Sequence, residues 1–200
     1  MINIDPWSPI ILKDNCPVQE WSSIKVKCDN VLTQIGTDPT NNSYLETGDA
    51  LSSVISKDRP YMWDDFNYFK EWLSPRLDEA VTKWKLNYNR YAIAGSWVNI
   101  HNKTGKTSIH CHRGCDIVVV YYLNVPPNSG RLIVRDPLEY HWANSVSHER
   151  GYLDSRGGYP IEVQTGDVII FPGWLYHGTE ESNSEDPRYI MSINYTGTST

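Results

Sequence analysis

His110 and His112 in the run SIHCH, with His177 further along the chain, are the side chains best suited to chemistry. Neutral imidazole is the commonest protein ligand for metals. The segment Thr107 to His112 reads as a strand, and residues two apart on a strand share a face, roughly 6–7 Å apart along it. Two rings so placed can converge on one ion at bonds of about 2.1 Å. Taken alone, His-x-His also describes two polar side chains on a solvated sheet face. The second half of the pattern shifts that balance. GDVIIFPGWLYHG reads as a strand, a turn, and then His177 at the mouth of the next strand, and Arg188 opens RYIMSINY eleven residues later. A third imidazole completes a facial metal site. The guanidinium, one strand further on, presents a planar fork suited to a ligand's distal carboxylate.

Asp116 competes with His112 for the third ligand position. An extended chain would put it about 13 Å from His112, but Gly114 permits a turn that brings it back. The other histidines invite plainer readings: His101 as a turn or rim residue, His141 and His148 as solvated surface or substrate contacts. Trp174 is expected to wall off water beside His177. Asp136-Pro137 most simply ends a strand. Cys111 and Cys115 lie near the histidine pair, but Cys16 and Cys28 are spaced too widely to complete a structural zinc site.

These side chains need a scaffold, and its texture changes near Tyr88. Gln19 to Ile35 carries apolar residues at helical spacing, with Gly36 as a C-cap, and Thr37 to Asp49 reads as loop. From Asp64 to Leu86 a second apolar stripe is interrupted at Ser74-Pro75, which predicts two helices or one kinked one. Beyond it come short β-prone segments: Tyr91–Ile100, Thr107–His112, Asp116–Leu123, Gly130–Val134, Ile161–Val163, Asp167–Phe171 and Tyr189–Tyr195. Such a series predicts an antiparallel jelly roll of the cupin kind, braced by the preceding helices. Leu138 to Pro160 lacks regular pattern, as lids and binding loops do.

Length and composition bound the rest. With 200 residues, 40% of them hydrophobic, one domain with a sizeable core is expected, residues 1–90 being its helical part and 91–200 its β-barrel. A net charge of -6 argues against a nucleic-acid partner, because phosphates demand a positive field. No apolar run approaches the roughly 20 residues that span a bilayer. The start MINIDPWSPIIL lacks the basic-then-apolar signature of a signal peptide, and four scattered cysteines suit a reducing compartment, so a cytoplasmic protein is expected.

The stretch from Trp97 to Tyr195 resembles the non-haem Fe(II), 2-oxoglutarate-dependent oxygenases, in particular the prolyl-hydroxylase-like branch and its small bacterial and phage relatives. The resemblance rests on IHCH, VVVYYLNVPPNSGRLIVRDP, GDVIIFPGWLYHG and RYIMSINY, in that order. It implies a double-stranded β-helix, with Fe(II), 2-oxoglutarate and O2 as cofactor and cosubstrates. His110 and His177 match the family's metal histidines, and Arg188 the residue that pairs the distal carboxylate of 2-oxoglutarate. Tyr122, Ser192 and Asn99 fall around the same pocket. His112 stands where the family has a carboxylate, which leaves the metal's charge uncompensated by one unit. The resemblance implies hydroxylation of a small-molecule, peptide or protein substrate (a prolyl residue among them), with release of succinate and CO2. Three other readings compete: a three-histidine zinc lyase or hydrolase, a metal-cupin dioxygenase without a cosubstrate, and a non-catalytic cupin-like binding module.

Overall fold

The computed structural model describes residues 11–36, 43–88, 90–137 and 158–198. In chain order its elements are β1 (Leu12–Asn15), α1 (Trp21–Gly36), β2 (Glu46–Thr47), β3 (Ala50–Ser52), α2 (Asn67–Lys83), β4 (Arg90–His101), β5 (Lys106–Thr107), β6 (Ile117–Asn124), β7 (Leu132–Arg135), β8 (Gly158–Ile161), β9 (Asp167–Pro172), β10 (His177–Thr179) and β11 (Arg188–Thr198). Two single 3-10 turns, Pro60–Met62 and Asp64–Phe66, lead into α2.

The major sheet runs β1-β9-β6-β11-β4-β3, and the minor sheet β10-β7-β8; β2 and β5 form a separate pair. All recorded pairings are antiparallel. This is the expected mainly-β jelly roll. Its central strand β6, IVVVYYLN, is buried on both faces up to its last residue. Alternation sends Val118, Val120 and Tyr122 toward Leu132 and Val134 of the minor sheet, so these residues fill the barrel. Ile117, Val119, Tyr121 and Leu123 face the other way, into a second core with the helices. That core takes Ile24, Cys28, Val31, Leu32 and Ile35 from α1 and Phe69, Leu73, Leu77 and Ala80 from α2. Each fully buried large aliphatic or aromatic side chain contributes about 1.5–3 kcal/mol by leaving water. Tyr121 stacks flat on Phe69 at 4.2 Å, tying α2 to the sheet.

Several expectations need correction. The interruption at Ser74-Pro75 does not divide the helix: α2 passes through Pro75 as one element. The proline removes one N–H from the ladder, but Glu71, whose carbonyl would have received it, is exposed and can turn to water. Thr107–His112 is not a strand. Only Lys106–Thr107 is, and His110 then makes an isolated bridge with His177. The β-prone Ile161–Val163 is displaced toward the N-terminus, to Gly158–Ile161. β1, β2 and β3 were not foreseen. β2 lies inside the stretch read as loop, and LKDN of β1 has little strand propensity; it is extended because the edge of β9 receives it. Most of the Leu138–Pro160 segment, including His141 and His148, lies outside the described residues. No helix among the described residues is long and apolar enough to cross a membrane.

Candidate metal and carboxylate site

The three histidines meet at the mouth of the barrel, between its two sheets. His177 opens β10, and the His110 backbone pairs with it through two 2.8 Å hydrogen bonds, His110 N–H to His177 O and His177 N–H to His110 O. Two residues on, His112 N–H donates to Gly173 O at 2.8 Å. This approach needs a glycine. A Cβ at Gly173 would lie 2.1 Å from the Cys115 carbonyl oxygen and 3.1 Å from that of His112. The SIHCH segment therefore runs beside the 173–177 turn without ladder pairing, yet its two rings still converge.

The hydrogen bonds fix each ring's tautomer. His110 Nδ1–H donates to Ser108 O at 2.9 Å, His177 Nδ1–H to Leu175 O at 2.8 Å, and His112 Nδ1–H to Asn194 Oδ1 at 2.6 Å. Each leaves Nε2 as a free lone pair. Burial pushes all three imidazoles below their ordinary range, His112 to about 4, so they are neutral at physiological pH. Their ligand atoms all lie within 4.8 Å of one another. His110 Nε2 and His112 Nε2 are 3.0 Å apart. With both protons on Nδ1 that contact sets lone pair against lone pair, and a cation between them relieves it. Ligands about 2.1 Å from a metal and at right angles are separated by about 3.0 Å. Trp97 stacks on His112 at 5.6 Å between ring centroids and holds the ring's other face.

Asp116 is not part of this group. Gly114 does take a positive φ of 79°, but the turn delivers Asp116 to the start of β6, where its Oδ2 accepts Gly197 N–H at 2.7 Å. Among the described residues the trio is the only cluster arranged to hold a metal, and all four cysteines are free thiols. Trp174 is 54% exposed and does not line the cavity, so it is no wall against water.

Beyond the histidines the cavity lining includes Trp97, Asn99, Val120, Tyr122, Ile190 and Ser192, together with Glu46 and Thr107. Alternation on β4 and β11 sends Asn99 and Ser192 to the barrel side with Arg188. Three buried polar atoms here have no partner: Asn99 Oδ1, the Tyr122 hydroxyl and Arg188 Nε. Burial raises the Tyr122 phenol, which remains a protonated donor, although the Arg188 charge works in the opposite direction. Arg188 is wholly buried, donating from Nη1 to Gly130 O at 2.6 Å and from Nη2 to His101 Nδ1 at 2.5 Å. A buried guanidinium with an idle N–H, beside an idle hydroxyl, fits an incoming carboxylate. Six of the seven candidate residues thus line one cavity, and Arg188 lies behind that lining, close enough for its charge to act on Tyr122.

Sequence reasoning missed three residues. Asn194 fixes the His112 tautomer; it sits at even spacing from Arg188 and Ser192 on β11, a signal that was present. His101 is not a rim residue but fully buried, at the end of β4 and directly opposite Arg188 in the β4–β11 register. Its parity with Trp97 and Asn99 could have revealed it. Glu46, whose buried carboxylate meets His101, carried no local signal at all.

Comparison with known proteins agrees with this geometry. The family model described as "Putative 2OG-Fe(II) oxygenase" matches residues 95–194, half of the chain. Among solved structures, AviO1 from Streptomyces viridochromogenes Tue57 superposes with a TM-score of 0.61 at 14% identity, covering 97% of this chain and 92% of that one. A Pseudomonas putida prolyl-4-hydroxylase gives 0.58 at 9% identity, covering 96% and 95%. The 2OG complex of the viral collagen prolyl hydroxylase from Paramecium Bursaria Chlorella virus-1 gives 0.52 at 12% identity, covering 94% and 96%. At these identities the likeness is one of fold. No curated protein sequence matches the chain.

Proposed function

Because the chain belongs to the 2OG-Fe(II) oxygenase family, we propose that His110, His112 and His177 hold its iron and that Arg188, Tyr122, Ser192 and Asn99 receive its 2-oxoglutarate. The observation that carries this reading is the set of idle buried polar atoms on Asn99, Tyr122 and Arg188, set beside three converging Nε2 lone pairs. The bound cofactors supply oxidative decarboxylation of 2-oxoglutarate to succinate and CO2, coupled to hydroxylation of a C–H bond. The protein's own part is to position and to exclude. Arg188 and Tyr122 take the distal carboxylate, with Ser192 and the Asn99 amide on the same wall. Val120, Leu132 and Ile190 keep that end of the cavity dry, which strengthens each polar contact inside. Three neutral imidazoles keep the metal's full charge available to an anionic cosubstrate. A zinc lyase or hydrolase, or a non-catalytic barrel, would leave the buried guanidinium without a task.

The substrate we favour is a peptide or protein, including a prolyl side chain, in keeping with the prolyl hydroxylases that share the fold. We place the enzyme in the cytoplasm, with residues 1–200 acting as one oxygenase domain. The test is succinate formation from 2-oxoglutarate by the full chain, measured with and without Fe(II). Arg188→Ala should raise the 2-oxoglutarate requirement; an unchanged requirement would remove Arg188 from its assigned place.

A further inference from the structure

We infer that Glu46, acting through His101, is a positioning residue that sets the Arg188 guanidinium for its carboxylate ligand; this rests on the reading of Arg188 given above. The arrangement spans four strands. Arg188 Nη2–H donates to His101 Nδ1 at 2.5 Å, and His101 Nε2–H donates to Glu46 Oε2 at 3.0 Å. Thr107, opposite Glu46 in the β2–β5 pair, lies 2.9 Å from the same ring nitrogen through its Oγ1 and donates its hydroxyl proton to the Glu46 carboxylate at 3.0 Å. The His101 side chain is wholly buried and that of Glu46 nearly so.

The chemistry of a neutral imidazole gives this chain a direction. Burial holds His101 below its ordinary range, so the ring carries one proton. A carboxylate accepts only and a guanidinium donates only. The proton therefore sits on Nε2, toward Glu46, and the Nδ1 lone pair faces Arg188. The opposite tautomer would set N–H against N–H at Arg188 and lone pair against carboxylate at Glu46. Glu46 thereby decides whether His101 can accept from Arg188.

The spacer also explains why Arg188 keeps a free donor. A carboxylate in direct contact would occupy the guanidinium fork bidentately and compete with any carboxylate ligand. Through His101, Glu46 offers a compensating negative charge in the same buried region while His101 takes a single N–H, and Nε stays without a partner. Arg188 is thus oriented without being consumed.

The test uses the full-length protein loaded with Mn(II) for 2-oxoglutarate binding, and with Fe(II) for succinate formation in the absence of a second substrate. Glu46→Ala should weaken 2-oxoglutarate binding and raise its KM by about tenfold, the loss of roughly one charge-assisted hydrogen bond, with kcat within about twofold. Glu46→Gln, which keeps a carbonyl oxygen for His101 Nε2–H, should restore most of that loss. Imidazole 15N spectra of the wild type should show His101 as the Nε2–H tautomer, and Glu46→Ala should lose that preference. An Nδ1–H tautomer in the wild type overturns the inference, even if the Ala variant fails to fold. So does a Glu46→Ala protein with wild-type affinity while Arg188→Ala has lost it. If Arg188→Ala itself binds 2-oxoglutarate normally, the site reading fails along with the inference.

Discussion

His112 donates its Nδ1–H to Asn194 Oδ1 across 2.6 Å, whereas His110 and His177 donate theirs to the backbone carbonyls of Ser108 and Leu175. Of the three ring tautomers, only that of His112 depends on a side chain. It is also the histidine that stands where the family has a carboxylate. Burial keeps this imidazole neutral, against the pull of the Asn194 hydrogen bond; what Asn194 does is hold the proton on Nδ1 and so direct Nε2 at its partners.

Replacing Asn194 with Leu should therefore weaken metal binding by about ten- to a hundredfold, the usual cost of losing a ligand's outer hydrogen bond. Titration of the apo-protein with Mn(II) or Fe(II) measures this directly. An affinity within twofold of wild type would show that His112 needs no such anchor, or does not bind the ion.

Tyr122→Phe separates binding from stability. The hydroxyl it removes is buried and without a partner, so the melting temperature should hold or rise slightly. Affinity for 2-oxoglutarate should fall by about two- to tenfold, the worth of one ordinary hydrogen bond. A large loss of stability with unchanged affinity would mean that the hydroxyl serves the fold and not the ligand.

Gly173→Ala should be far more damaging than its size suggests. The new Cβ would have to push away the Cys115 carbonyl, a backbone atom 2.1 Å distant, and with it the turn that carries His112. Overpacking of this kind costs about 1–3 kcal/mol, and metal affinity should fall with it. Thermal melts and metal titration on the same preparation check both; normal values in each would show that the 112–115 turn has room to move.

Acid should destabilise the metal-free protein early. His101, His110, His112 and His177 are all held below their ordinary value of 6.5, chiefly by burial, His112 at about 4. Below about pH 6.5 the unfolded chain takes up protons that the folded one refuses, so stability is lost as pH falls toward 4. Melting temperatures in chelator across pH 7 to about 5 should drop before the carboxylates titrate. A flat profile over that range would mean that these rings are protonated in the folded state.

Much of this fold was legible because its strands are made of β-branched runs that cannot easily be anything else: IVVVYYLN and DVIIFP are the clearest. The convergence of the three histidines was legible for a related reason, since His-x-His and a later His-to-Arg spacing place side chains by parity. The same parity extends to Asn194 on β11 and His101 on β4, neither of which the sequence reading singled out. Glu46 was beyond reach. Its two-residue strand sits in a stretch rich in turn formers, and only the partner strand at Lys106–Thr107 makes it extended. β1 was hidden for the same reason: LKDN takes its conformation from the sheet edge it meets. Contacts of that kind exist only once the chain has folded.

β6 forms the back wall of the catalytic barrel and, with its other face, the floor of the helical core. Residues 95–194, the part matched by the family, contain only one side of that bargain. A fragment confined to them would present Val119, Tyr121 and Leu123 to water on the very strand that holds Tyr122 in place. The catalytic half is therefore not a portable unit. Transplanting the site into another protein would require carrying α1 and α2 with it, or supplying a greasy surface of matching shape in their stead.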